Sequence, residues 1–335
     1  ITMQSDLPVP TVGYVNDKLG LQGVSLEVAN WCSNKLETRF RLQSCNCEQP
    51  EFRVASTIAE AKSACESIGF PCVIKAVDSS GSRGITKIQS LLELESAFKE
   101  AIKYSRQKEI LVEDFIDGLE FGAQTFSING KCEIVLMHND TISQPPYMIP
   151  IGHSFPFTGL SDIQIVEASN DIKVAVEALG IADGPSNVDI LLDDKTKRVK
   201  IIEIGARIGA TCLPELVHYY TGIDWVEASI KMSLGEAPDI RIKKSQPVAD
   251  LILTSKDDGR YKSCLMKKSV EKNDVIEFEV TAKEGEVVHK LRKGTDRIGK
   301  VICFGKTVDE AEENAMNTVA ATELIVEYGQ DTLSD

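Results

Sequence analysis

The sequence predicts an α+β fold, and three observations carry that expectation. Strand-sized apolar runs alternate with amphipathic helical segments over most of the chain. Two of the strand runs are paired across polar turns, one at Asn129–Gly130 and one around Thr196. From about residue 245 the pattern shifts to strands followed by a helix, which marks a separate small α+β unit.

Residues 14–31, "YVNDKLGLQGVSLEVANW", read as a helix end, a glycine turn and a short helix. "SNKLETRFRL" (33–42) opens with cap-forming Ser33 and Asn34 and continues with good helix formers. "EFRVAS" is strand-like. "TIAEAKSACESIG" is a helix with Thr57 as its N-cap and Gly69 at its end. "CVIKAV" and "ITKIQS" are strands, and "LLELESAFKEAIKYSR" is an amphipathic helix. "EILVEDFI" is a strand that runs into "DGLE". "FGAQTFSINGKCEIVLMH" is a hairpin. The proline-rich "TISQPPYMIPIGHSFPF" reads as a long loop, a kind of segment that is often functional. "DIQIVEASNDIKVAVEALGI" is a helix, and "SNVDILLDDKTKRVKIIEIGA" a second hairpin. "LPELVHYYTGIDWVEASIKMSLG" is helical and broken near Gly222. "ADLILTS", "DVIEFEVT" and "KVICFGK" are strands, and "TVDEAEENAMNTVAATELIVE" is read as a terminal helix.

The chain has 335 residues, of which 42% are hydrophobic and 26% charged, ordinary values for a globular protein. No apolar run is long enough to span a bilayer, so no membrane partner is expected. The opening "ITMQSDLPVP" has no basic region followed by an apolar one, so it is not read as a secretory signal. It also does not begin with methionine, as expected of a fragment. A net charge of −14 argues against general affinity for nucleic acid, which needs many cationic contacts. The nine cysteines are odd in number and show no paired CxxC framework, which favours reduced thiols and a cytoplasmic location. "CNC" at 45–47 lacks a second Cys/His pair at zinc-like spacing and reads as loop cysteines.

Asp189 and Glu203 stand on the two arms of the second hairpin, equidistant from Thr196, and so share a face. Two acids there repel each other unless a cation lies between them. They are either a magnesium site or a solvent-facing acidic pair. Arg207 follows four positions after Glu203, where small residues end the strand, and could hold a phosphoryl or carboxylate oxygen or simply neutralise the acids. Lys75 ends a strand, and "DSSGSRG" follows it. The Ser and Gly residues can offer bare backbone N–H groups to an anion, or form an ordinary turn. The pattern is neither a Walker A loop nor a dinucleotide fingerprint. "ILVEDFIDGLEFGAQ" could present backbone groups to an adenine edge and a carboxylate to a ribose, or be a strand with a charged turn.

Taken in order, Lys35, Lys75 with its loop, "LVEDFIDGLEFGAQ" and "IIEIGARIGATCLPELV" resemble the ATP-grasp superfamily over residues 12–240. The nearest likeness is to the branch of biotin carboxylase, phosphoribosylglycinamide synthetase and the L-amino-acid ligases. "EIGARIGA" and the "IGHSFP" loop look most like the last group. The resemblance implies two α+β subdomains clasping ATP, a remnant of a preceding nucleotide-fold-like domain and a small C-terminal α+β domain. The corresponding segments are 1–34 (the remnant), 35–112 (the small subdomain with its Gly/Ser lid), 113–240 (the large subdomain with the metal site) and 241–335.

By the same resemblance, Lys35 and Lys75 contact phosphates, while Ser79, Ser80, Gly81, Ser82, Arg83 and Gly84 close over them. Glu113, Asp114, Phe115 and Ile116 line the adenine, partly through backbone, and Glu120 holds the ribose. Asp189 and Glu203 bind Mg²⁺, with Mn²⁺ as an alternative ion. Arg207 stabilises an acyl phosphate, and His153 faces the acceptor. The implied activity joins a small-molecule carboxylate to an amine, converting ATP to ADP and phosphate, in a protein of a superfamily where homodimers are common. Bicarbonate-dependent carboxylation and a non-catalytic ATP-binding module are the alternatives. The sequence departs from the superfamily pattern at Gly205, where Asn is common, at Asp189, where Glu is usual, and at Pro150, where some amino-acid ligases carry an acid. His138, His218 and His289 read as structural.

Overall fold

The computed structural model describes residues 5–81, 83–144, 149–266 and 274–327. The chain opens with α1 (Val9–Leu19), α2 (Leu26–Cys32) and α3 (Lys35–Ser44). Then come β1 (Phe52–Ala55), α4 (Ile58–Ile68), β2 (Cys72–Ala76), β3 (Ile85–Ile88), α5 (Leu94–Tyr104) and β4 (Ile110–Asp114). They are followed by β5 (Gly118–Ile128), β6 (Lys131–Ile142), β7 (Pro150–Phe155), α6 (Asp162–Ala178), β8 (Gly184–Asp193) and β9 (Val199–Gly205). Helices α7 (Leu213–Thr221) and α8 (Trp225–Ser233) lead to β10 (Val248–Thr254), β11 (Gly259–Met266), β12 (Val275–Val280) and β13 (Val287–Val288). The last elements are β14 (Arg297–Phe304), α9 (Val308–Ala320) and β15 (Thr322–Glu327).

The elements form two compact units. The first comprises Ile1–Leu136, Gly159–Gly209 and Val226–Pro238. Its four-stranded antiparallel sheet runs β1-β4-β2-β3. Helices α4 and α5 cover it, burying Ala61, Cys65, Ile74, Ile88, Ala97 and Val112 together. Helix α4 starts where a capping box allows: Thr57 Oγ1 accepts from Glu60 N, and Glu60 Oε2 accepts from Thr57 N. Strands β5, β8 and β9 form a second antiparallel layer in this unit. Asn129 and Gly130 both adopt positive φ (51° and 80°), the geometry a two-residue hairpin demands.

The second unit comprises Met137–Thr158, Ala210–Trp225 and Asp239–Asp335. Here β12, β14, β10 and β7 are successive antiparallel neighbours, and the last residues of β6 pair with β7. A smaller sheet runs β13-β11-β15. Helix α9 packs on β10 and β14, and Leu253, Val301, Cys303, Ala311 and Ala315 form their common core.

Two readings need correction, and one strand was missed. The proline-rich stretch is not all loop, because Pro150–Phe155 is β7, paired with β6 and β10. Pro150 is the strand's first residue, where a missing N–H is tolerated. The terminal helix stops at Ala320, and the β-branched "TELIVE" pairs with β11 instead. Strand β11 itself carries too little alternation to stand out from the sequence.

The β2–β3 connection closes with Ala76 N donating to Gly84 O at 2.9 Å. Gly84 has φ +71°, and a Cβ there would lie 3.1 Å from Ala76 Cβ and 3.2 Å from Tyr104 Cβ. Gly81 has φ +66° but open space around it. Gly84→Ala should therefore cost about 1–3 kcal/mol in urea unfolding, and more than Gly81→Ala. Equal losses would contradict the crowding at Gly84.

Candidate functional site

The site in the first unit is built on the β8–β9 hairpin. Its turn is closed by Asp193, whose carboxylate accepts from Lys195 N at 2.8 Å and Thr196 Oγ1 at 2.9 Å. From that turn the strands pair as Leu192↔Val199, Leu191↔Lys200 and Ile190↔Ile201. The register then shifts by one residue, leaving Ile202 as a bulge, and continues with Asp189↔Glu203 and Asn187↔Gly205. The bulge thus brings Glu203 opposite Asp189. Asn187 lies two residues from Asp189 and so shares its face. Asn187 Nδ2 donates to Asp189 Oδ1 at 2.9 Å, and Gln124 Nε2 donates to Asn187 Oδ1 at 2.7 Å. Asn187 was not singled out from the sequence, although the period of two and the hairpin register point to it.

Lys35 is the first residue of α3, placed there by Asn34, whose Oδ1 accepts from Leu36 N at 2.9 Å. A cation at a helix N-terminus opposes the helix dipole, so helix stability does not explain this lysine. Its Nζ lies 3.2 Å from Glu203 Oε2 and donates to Ser79 O at 2.7 Å. One ammonium therefore joins α3, the Ser/Gly loop and β9. A cavity of about 250 Å³ opens beside them, lined by Asp6, Cys32, Ser79, Ser80, Glu203 and Gly205 among others. Burial pushes the Cys32 thiol up to about 12, with Glu203 adding to the effect against a backbone hydrogen bond from Ala206. Arg207 Nε lies 2.6 Å from Asp6 Oδ1. Asp6 is a second residue that sequence reasoning missed.

Lys75 lies close to a partner that the sequence did not suggest. Its Nζ is 2.5 Å from Glu113 Oε2, and Arg39 Nε is 2.6 Å from Glu113 Oε1. Arg39 also donates to the carbonyls of Ile201 (3.0 Å) and Ile202 (2.9 Å), on either side of the bulged peptide. Glu113 is fully buried, which alone would raise its pKa. Arg39 and Lys75 outweigh that and hold it at about 2. Its carboxylate thus faces two cations.

The remaining predicted residues are more dispersed. Asp114 N donates to Glu51 O and Phe115 N to Pro71 O. Burial raises the pKa of Asp114. Lys87 Nζ sits 3.3 Å from the centroid of the Phe115 ring. Ile116 is half-buried in the β4–β5 connection, and Glu120 is exposed on β5. Arg83 is exposed and donates to Ser80 O, while Ser82 lies outside the described residues. In the second unit, His153 on β7 is buried, with Nδ1 3.1 Å from Asp250 Oδ1. Its Nε2 lies 3.9 Å from Asp140. His138 is buried beside the same Asp140, at 2.9 Å.

The family model for the carbamoyl-phosphate synthase L chain ATP-binding domain matches residues 37–240, more than half of the chain. The chain belongs to this ATP-grasp family. Residues 252–327 match the L-amino acid ligase C-terminal domain 2. The ATP-grasp chain superposes on phosphoribosylglycinamide synthetase from Anaerococcus prevotii with a TM-score of 0.80 at 26% identity, covering 97% of this chain and 82% of that one. The fold is also that of L-amino acid ligase from Bacillus licheniformis, with a TM-score of 0.81 at 22% identity, covering 96% and 79%. An uncharacterized protein of Sinorhizobium fredii is 27% identical over 77% of this chain, which spans only 54% of that protein.

The donor set of this ATP-grasp site fits a hard cation. Asp189 and Glu203 offer carboxylate oxygens, and among the described residues no group of three His, Cys, Asp or Glu forms a metal cage. Mg²⁺ commonly uses one or two carboxylates and completes its shell with water and phosphate.

Removing Arg39 leaves a buried carboxylate short of a partner, so Arg39→Met should lose about 3–5 kcal/mol of stability in urea unfolding. Glu113 has a folded pKa of about 2 against an ordinary 4.5. Its contribution is complete above about 4.5 and is lost as pH falls toward about 2. The stability gap between wild type and Glu113→Gln should therefore narrow on acidification through that window. A gap independent of pH there would contradict the ion-pair assignment.

Proposed function

We propose that the chain is an ATP-dependent ligase that joins a small-molecule carboxylate to an amine through an acyl phosphate. The observation that carries this reading is the Lys35 ammonium, which holds the Ser79 carbonyl and the Glu203 carboxylate together. It links a loop suited to phosphates with an acid suited to a metal. Membership of the ATP-grasp family and the ligase-type match at residues 252–327 support the same conclusion.

In this reading Lys35 and Lys75 neutralise the nucleotide phosphates, and the Ser79–Gly84 loop closes over them. Backbone groups from Glu113 to Ile116 meet the adenine, and Glu120 meets the ribose. Asp189 and Glu203 would hold Mg²⁺, or Mn²⁺ in its place. Such an ion would supply positive charge that lowers the repulsion between the phosphates and an attacking carboxylate. A carboxylate oxygen of the substrate attacks the γ-phosphorus, and the bond to the bridging oxygen breaks to release ADP. The amine nitrogen then attacks the acyl carbon, phosphate leaves with the former carboxylate oxygen, and a base takes the amine proton. Arg207 stabilises the phosphoryl oxygens of the mixed anhydride. His153, with Asp250 against Nδ1, is the proposed proton acceptor. Loop closure would keep water from the anhydride.

The segments 1–34, 35–112, 113–240 and 241–335 are proposed as the preceding-domain remnant, the two grasp subdomains and the C-terminal domain. A cytoplasmic homodimer completes the proposal, the location resting on the unpaired cysteine pattern.

Screening carboxylates against amines with MgATP should reveal a pair that releases ADP and phosphate. Glu203→Gln should lower that turnover by about 10²-fold or more while leaving thermal unfolding close to wild type. Release of AMP and pyrophosphate, or near-normal turnover by Glu203→Gln, would overturn the proposal.

A further inference from the structure

Arg39 lies outside every motif singled out in the sequence, yet it is among the largest fully buried side chains, 1% exposed. A guanidinium stays charged in proteins, and burying one is costly unless its donors are met. Here Nε faces Glu113, while the two terminal nitrogens face the carbonyls of Ile201 and Ile202.

Two features go beyond a simple structural ion pair. The first is charge. Arg39 and Lys75 share the one Glu113 carboxylate, so the cluster keeps a net positive charge. The Arg39 and Glu113 side chains are 2% and 1% exposed, whereas that of Lys75 is 11% exposed. Neutrality alone would need a single cation. A second one, left nearer to solvent, suits an incoming anion. The second feature is position. The carbonyls held by Arg39 lie at the bulge that brings Glu203 opposite Asp189.

We propose that Arg39 is a positioning residue that sets Lys75 through Glu113 and sets Glu203 through the β9 bulge. One buried cation thereby places both the lysine meant for phosphates and the carboxylate meant for the metal. Lysine cannot do the same, because a single ammonium lacks the planar fork that reaches a carboxylate and two carbonyls at once. The inference rests on the nucleotide reading above.

The test is calorimetric titration of the full chain with ADP in the absence of divalent ions, using wild type, Arg39→Lys, Lys75→Met and the double variant. Arg39→Lys and Lys75→Met should each weaken binding by about tenfold. The double variant should stay within about twofold of Lys75→Met, because the effect of Arg39 runs through Lys75. If Arg39→Lys does not fold by thermal melting, the isosteric Glu113→Gln takes its place in the same cycle. In a second arm, Mn²⁺ affinity with ADP present, read by electron paramagnetic resonance, should fall about tenfold in Arg39→Lys. Wild-type affinity for ADP in Arg39→Lys, or fully additive losses in the double variant, would overturn the positioning role and leave the nucleotide reading intact. Failure of wild type to bind ADP would overturn the nucleotide reading, and this inference with it.

Discussion

The arrangement of the first unit depends on one buried charge. The Arg39 guanidinium cannot shed its proton, so the surrounding fold must meet its donors or lose stability. It does so by drawing the Glu113 carboxylate from β4 and two carbonyls from β9 onto one residue of α3. Glu113 in turn holds Lys75 on β2. Four elements far apart in sequence are fixed by a group that no apolar side chain could replace without leaving Glu113 Oε1 and the Ile201 and Ile202 carbonyls without their donor.

A parallel constraint acts at Lys35. A lysine at the start of a helix is poorly placed for the helix itself, and in this chain it is matched by Glu203 and the Ser79 carbonyl. The same face carries Asp189 in register with Glu203. Acids and lysines are therefore interleaved in one small region, as the proposed transfer of a phosphoryl group to a carboxylate requires. Both reacting groups are anionic, and their approach must be offset by cations fixed in advance. In the second unit, the pairing of His153 with Asp250 is a separate arrangement, in which a buried carboxylate orients an imidazole.

Much of this was readable from the chain. The Thr57 and Asn34 caps, the Asn129–Gly130 turn and the helix break at Gly222 follow from local chemistry, which acts within a few residues. The Asp189–Glu203 pairing was also expected, although for an incomplete reason. The strands near the turn pair half a residue out of that alignment, and the Ile202 bulge restores it. Bulges depend on neighbours beyond the strand pair, and here Arg39 holds the carbonyls at the bulge. Arg39 and Asp6 were not legible, because each acts through a partner distant in sequence and neither belongs to a spaced motif, whereas Asn187 follows from the hairpin register two residues before Asp189 but was not singled out. Strand β15 was read as helix because its role comes from pairing with β11 and not from its own pattern.

The central claim is that nucleotide and metal meet at Lys35, Lys75, Asp189 and Glu203. Crystals grown with ADP and Mn²⁺ test it most directly, since anomalous scattering locates the ion independently of any fold argument. The account predicts an anomalous peak between the Asp189 and Glu203 carboxylates, with the nucleotide phosphates against Lys35 and Lys75. A manganese peak elsewhere, or a nucleotide bound away from those lysines, would contradict it.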